Sequence, residues 1–105
     1  MKINLKATGV PLTAPLKEYV EEKIGSLKKF LSRWDTEGAA EAWVEVGRTT
    51  SHHHKGNVFR AEVDIRVPGK VLRGEDVDFD VRVAIDRVRD KLKRELERYK
   101  ETHEG

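Results

Sequence analysis

From Ile3 to Thr8 apolar and polar residues alternate, with Ile3, Leu5 and Ala7 facing one way and Asn4, Lys6 and Thr8 the other. A period of two marks a strand with one buried face. Gly9 and Pro11 end it, and Thr13 is placed to cap a helix that tolerates Pro15 in its first turn. Leu16, Val20, Ile24, Leu27 and Leu31 then recur at three- and four-residue spacing. That spacing predicts an amphipathic helix to about Trp34, slightly weakened by Gly25. Residues 35–39 read as a turn. Period two returns where Ala42, Val44 and Val46 alternate with Glu41, Trp43 and Glu45. It returns again where Phe59, Ala61, Val63, Ile65 and Val67 alternate with Arg60, Glu62, Asp64 and Arg66. The polar stretch between these strands, residues 49–57, reads as a hairpin loop. Pro68-Gly69 turns the chain into a fourth, less regular strand from Val71 to Phe79, interrupted by Gly74. Asp78 or Asp80 then caps a last helix with the stripe Val81, Ile85, Val88, Leu92, Leu96 and Tyr99.

The order is β-α-β-β-β-α, an α+β fold. Strands with one polar face call for helices on the other face only, so the expectation is a four-stranded mixed sheet with two helices packed on one face. The first β-α-β connection is expected to be a right-handed parallel crossover and the rest a meander. With no linker or repeat in view, residues 1–105 read as a single domain.

Charge changes this picture more than length does. The chain is 38% charged, against about 25% for an ordinary soluble domain, and both signs are abundant, as on a folded surface. Net charge is only +2, so an anionic partner must be met by local arrangement, not by the total. Absence of cysteine excludes disulfides and thiolate chemistry. No leader-like apolar core follows Met1, and no apolar run approaches the ~18 residues of a membrane span. A soluble, cytoplasmic protein is expected.

On a helical wheel with Ile85 at the origin, Arg87, Lys91, Arg94 and Arg98 fall at roughly 180–240°, pointing away from the apolar stripe. A second set, Arg82, Arg89, Lys93 and Lys100, falls at roughly 40–80° on the other flank. On the first helix Lys29 and Arg33 lie together away from the stripe, with Lys23 at its edge. Two helices side by side on a sheet would join their outward stripes into one basic surface, suited to a phosphate backbone. The charge pattern alone fits equally a solvated helix laced with i,i+4 pairs, since Asp86, Asp90, Glu97 and Glu101 lie between the two sets.

Catalytic and metal chemistry find little support. His52-His53-His54 is the one cluster with ligand character, but three consecutive residues point in alternating directions and lack the spaced set a structural zinc needs. Ser26, Ser32 and Ser51 sit in no nucleophile motif. Asp76, Asp78 and Asp80 read as strand-end and cap residues, not a calcium loop. Trp34 and Trp43 read as core or edge packing.

Several stretches resemble the ribosome hibernation-promoting factors and ribosome-associated inhibitors. They are Leu12-Thr13-Ala14-Pro15-Leu16-Lys17-Glu18-Tyr19-Val20 with Lys23 and Leu27-Lys28-Lys29-Phe30, and His54 to Val63. Most telling is Asp80-Val81-Arg82-Val83-Ala84-Ile85-Asp86, with Lys91-Leu92, Arg94-Glu95-Leu96 and Tyr99-Lys100. The resemblance covers nearly the whole chain. It implies a fold akin to double-stranded-RNA-binding domains and binding to ribosomal RNA in the small subunit's messenger and transfer RNA channel. Translation would be inhibited by steric occlusion, with no enzyme activity, cofactor or metal. Lys23, Lys29, Lys91, Arg94 and Arg98 match its RNA-binding positions; Arg33 and Arg87 join them by geometry. Ser26 departs from a lysine in some relatives, and Arg82 from a usual aromatic. Ending at Gly105, without the second domain of long relatives, the chain is expected to be a short-type factor or a piece of a longer one. A general double-stranded-RNA module, or a protein-binding domain using the open sheet face, are the rival readings.

Overall fold

A computed structural model of the chain describes residues 1–31, 40–49 and 58–104. Four strands, β1 (Lys2–Thr8), β2 (Glu41–Thr49), β3 (Val58–Val67) and β4 (Lys70–Asp78), form one sheet in the order β1-β2-β3-β4. β1 runs parallel to β2, with Ile3 opposite Ala42, and the other two pairings are antiparallel. Helices α1 (Ala14–Gly25) and α2 (Val81–Glu104) complete the expected β-α-β-β-β-α order.

The strand residues read as apolar face one side. Ala42, Val44, Val46, Ala61, Val63, Ile65, Val67 and Leu72 are buried there against Val20, Ile24, Leu27, Ile85, Val88, Leu92 and Leu96 from the helices. Each fully buried Leu, Ile or Val contributes about 1.5–3 kcal/mol over its exposed state. Apart from the Tyr99 hydroxyl, no polar or charged side chain is buried among the described residues.

Thr13 caps α1, its Oγ accepting from the Leu16 N–H at 3.3 Å. Between the two candidate caps of α2 the structure selects Asp80, whose Oδ1 accepts from the Arg82 N–H at 2.9 Å. Asp78 braces the preceding turn by accepting from the Asp80 N–H at 2.8 Å. At the other end, the Tyr99 hydroxyl donates to the Pro68 carbonyl at 2.7 Å, pinning α2 to the β3–β4 turn.

Two expectations need correction. The first helix is α-helical only to Gly25 and tightens into a 3-10 turn over Ser26–Phe30, where the Ser26 hydroxyl donates to the Lys23 carbonyl at 2.6 Å. The apolar spacing survives because Leu27 and Leu31 are still buried. β4 runs unbroken through Gly74, which pairs with Val63. A Cβ there would lie 3.1 Å from Val88 and 3.2 Å from Leu92, so the glycine serves the close approach of α2, not a break in the strand. The expected turn at 35–39, the hairpin loop from 50 to 57, Trp34 and the end of the first helix lie outside the described residues.

Candidate nucleic-acid interface

The flank of α2 that meets α1 carries Arg82, Arg89 and Lys93. Arg82 lies 5.1 Å and Lys23 5.6 Å from the centre of the Tyr19 ring. Lys93 and Lys29 lie 5.8 and 5.3 Å from the Phe30 ring. Midway between, Arg89 Nε donates to the Ser26 hydroxyl at 3.2 Å. Each α1-side ring thus gathers one cation from its own segment and one from α2. Such contacts hold a charged head near a ring face for about 0.5–1 kcal/mol while leaving it wet. The seam opens into a groove of about 380 Å³ lined by Glu22, Lys23, Ser26, Asp86, Arg89 and Asp90. The Tyr19 hydroxyl ties the helices together beneath it by donating to Asp86 Oδ1 at 2.6 Å. Burial, then that hydrogen bond, push the phenol up to about 12.

The opposite flank of α2 overhangs β4, which is the sheet's edge. Lys91 donates to the Glu75 carbonyl at 2.8 Å and pairs with Asp76 at 3.1 Å. Arg87 pairs with Asp78 at 3.2 Å and reaches the Val77 carbonyl at 3.5 Å. Partial burial works to raise the Asp76 carboxyl, but the Lys91 ammonium and the Val77 N–H outweigh it and hold the group below its ordinary value. Farther along, Arg98 pairs with Glu95 at 3.1 Å on the same helix. Arg94 is exposed and has no ion-pair or hydrogen-bond partner among the described residues.

The predicted residues therefore divide. Lys23 and Lys29 are gathered with Arg82, Arg89 and Lys93 into a lane along the helix seam; they do not sit beside Arg87 and Lys91. The residues Arg87, Lys91, Arg94 and Arg98 form a second lane, with its first half tethered to β4. The expected joining of the α1 lysines to the Arg87–Arg98 stripe becomes two lanes on the two flanks of α2. The wheel separates these flanks, but which one meets α1 is a tertiary fact. Arg82, Arg89 and Lys93, a separate flank on the wheel, join the α1 lysines only through that packing. Arg33 and the histidines 52–54 lie outside the described residues. Trp43, read as core or edge packing, is on the open sheet face, 39% exposed, with Arg66 5.1 Å from its ring.

The open sheet face is electrically closed. Lys2, Lys6, Arg60, Arg66 and Arg73 stand there with Glu41, Glu45, Glu62, Asp64 and Glu75, five charges of each sign. Most are cross-linked: Arg66 to Glu41 at 3.0 Å, Arg73 to Asp64 at 2.7 Å, Arg60 to Glu75 at 2.8 Å. From Ala14 to Phe30 and through α2, by contrast, twelve basic residues stand against nine acidic ones. The chain's positive excess lies on its helices. Among the described residues no cluster of metal-ligating side chains occurs, and no helix is long and apolar enough to cross a membrane.

A family model described as Sigma 54 modulation protein / S30EA ribosomal protein matches residues 3–104. A relative from Deinococcus radiodurans, named ribosome hibernation promotion factor, is 34% identical over 98 residues, 92% of this chain and 48% of the relative. One of the same name from Lactococcus lactis is 32% identical over 102 residues, 95% of this chain and 50% of the relative. The chain thus spans about half the length of the curated relatives it matches. The N-terminal domain of Thermus thermophilus Protein Y superposes with a TM-score of 0.69 at 27% identity, covering 94% of this chain and 99% of that one. A ribosomal subunit interface protein from Coxiella burnetii shares the fold, with a TM-score of 0.74 at 17% identity over 95% of this chain and 98% of that one.

Proposed function

This chain belongs to the Sigma 54 modulation protein / S30EA ribosomal protein family, and from that premise we propose that it is a ribosome hibernation factor. It binds the small ribosomal subunit where messenger and transfer RNA would lie, and it inhibits translation by occupying that channel. The reading places it in the cytoplasm with the ribosomes and treats residues 1–105 as one ribosome-binding domain. It requires a folded body that fills space and a surface that holds phosphates, without a chemical step. Lys23, Lys29, Arg33, Arg87, Lys91, Arg94 and Arg98 are the proposed RNA contacts. The observation that carries the assignment of a face is the charge asymmetry: the sheet holds equal numbers of both signs, with its arginines paired to carboxylates, while the helices carry the excess. Lys29 and Arg94 are the strongest individual candidates, because both are exposed and neither is held by a carboxylate among the described residues.

Co-sedimentation with purified small subunits across a salt series tests the proposal. The wild type is expected to bind stoichiometrically, with affinity falling steeply as salt rises, because each neutralised phosphate releases counterion. Lys29→Glu/Arg94→Glu should bind at least about tenfold more weakly, with a salt slope shallower by about two. Failure of the folded wild type to bind at low salt would defeat the proposal. Equal affinity for a plain RNA duplex would turn it into a general duplex-binding module.

A further inference from the structure

β4 is an edge strand, and at its Glu75–Val77 end three outward backbone groups are held by side chains instead of by another strand. The Glu75 carbonyl accepts from Lys91 and the Val77 carbonyl from Arg87, while the Val77 N–H donates to Asp76 at 2.7 Å. Backbone direction alternates along a strand, so the odd-numbered residues from 71 to 77 all present their N–H and C=O outward. An edge of this kind is a template for strand addition unless something blocks it. Here the blocking groups are two cations on exposed side chains, the same two that the proposed function offers to phosphate.

The strand is also complementary to itself. Laid antiparallel against a second β4 about Gly74, Arg73 faces Glu75, Val71 faces Val77 and Lys70 faces Asp78, and each match occurs twice. Val71 and Val77 are 54% and 39% exposed in the single chain and would cover one another. Leu72 opposite Asp76 complements nothing, and Gly74 faces its own copy without a side chain. The axis of such a pair stands perpendicular to the sheet, as in an isologous dimer, so both helix layers lie on the same side. The two Arg87–Arg98 lanes then run next to each other and repel. A phosphate chain between them offsets the repulsion and, by drawing Arg87 and Lys91 away, uncovers the Glu75 and Val77 carbonyls.

We propose that the outer edge of β4 is a gated docking edge for a second copy of this chain, opened when a phosphate polyanion claims Arg87 and Lys91. The trigger rests on the RNA-binding reading; the edge itself does not, and the two are tested separately. Light scattering should give a monomer for the wild type alone and a doubled mass for Arg87→Ala/Lys91→Ala without any nucleic acid. Adding Glu75→Arg to that variant sets Arg against Arg and should return it to monomer. Adding Arg73→Glu as well restores the opposite-charge match and should restore the dimer. On inorganic polyphosphate, the wild type should show slowed amide exchange at Arg73 and Glu75, which only strand pairing protects. A folded Arg87→Ala/Lys91→Ala variant that stays monomeric overturns the docking edge, whatever its fate on ribosomes. A wild type that is already dimeric alone, or whose Arg73 and Glu75 amides stay unprotected on polyphosphate, overturns the gate.

Discussion

Tyr19 shows how one side chain links the core to the candidate interface. Its ring lies near Lys23 and Arg82, and its hydroxyl reaches Asp86 across the helix seam at 2.6 Å. Tyr19→Phe keeps the ring and removes the donor, leaving a half-buried carboxylate one hydrogen bond short. Urea denaturation near neutral pH should record a loss of about 1–2 kcal/mol. The effect has a defined alkaline limit. The folded phenol is raised to about 12 from an ordinary value of 10.0, so between those values the unfolded chain loses the proton while the folded chain keeps it. The contribution is therefore complete below pH 10 and disappears as pH climbs through 12. Wild-type and Tyr19→Phe stabilities should converge over that window. At this scale the sequence exposed Lys29 and Arg94 by their distance from any apolar stripe. It did not expose the engagement of Arg87 and Lys91, because their partners, the Asp78 and Asp76 carboxylates and the Val77 and Glu75 carbonyls, lie on another element and are brought near only by the packing of α2 on β4.

Among the elements, β4 and α2 illustrate what periodicity can and cannot reveal. Strict alternation made β3 and β2 legible residue by residue, and the heptad-like stripe did the same for α2. Gly74 looked like a break because a glycine inside a strand has several possible causes, and only the packed helix reveals which applies. With prospective Cβ contacts of 3.1 and 3.2 Å to Val88 and Leu92, Gly74→Val must push α2 off the sheet or force those side chains from their rotamers. The expected cost is about 1–3 kcal/mol, measured as a lowered urea midpoint with an unchanged slope. A neutral result would mean that α2 has room to rise, contrary to the packing described. The 3-10 turn after Gly25 was hidden for a related reason. Three-residue spacing from Ile24 to Leu27 serves either helix type, and the choice is made locally by the Ser26 hydroxyl on the Lys23 carbonyl.

For the whole molecule, the question is whether binding follows total charge or its placement. A net charge of +2 is too small to account for capture of a polyanion, so the proposed function stands on the sorting of charge between two faces. That claim has a matched-charge test. Lys2→Glu/Lys6→Glu on the open sheet and Lys29→Glu/Arg94→Glu on the helices each take the net charge from +2 to −2. All four positions are exposed, so both proteins should fold. If placement governs, the helix variant loses about tenfold or more in affinity for small subunits and flattens the salt dependence. The sheet variant should then stay within about threefold of wild type, since long-range repulsion from its face is screened within ~8 Å at physiological salt. Equal losses would mean that the chain is held by its overall field, and the assignment of a face would fail. A larger loss from the sheet variant would place the RNA on the strands and would require the cross-strand ion pairs there to open for it. The paired geometry argues against that outcome, because Arg60, Arg66 and Arg73 already have carboxylate partners at 3.0 Å or less, and phosphate would have to displace each of them.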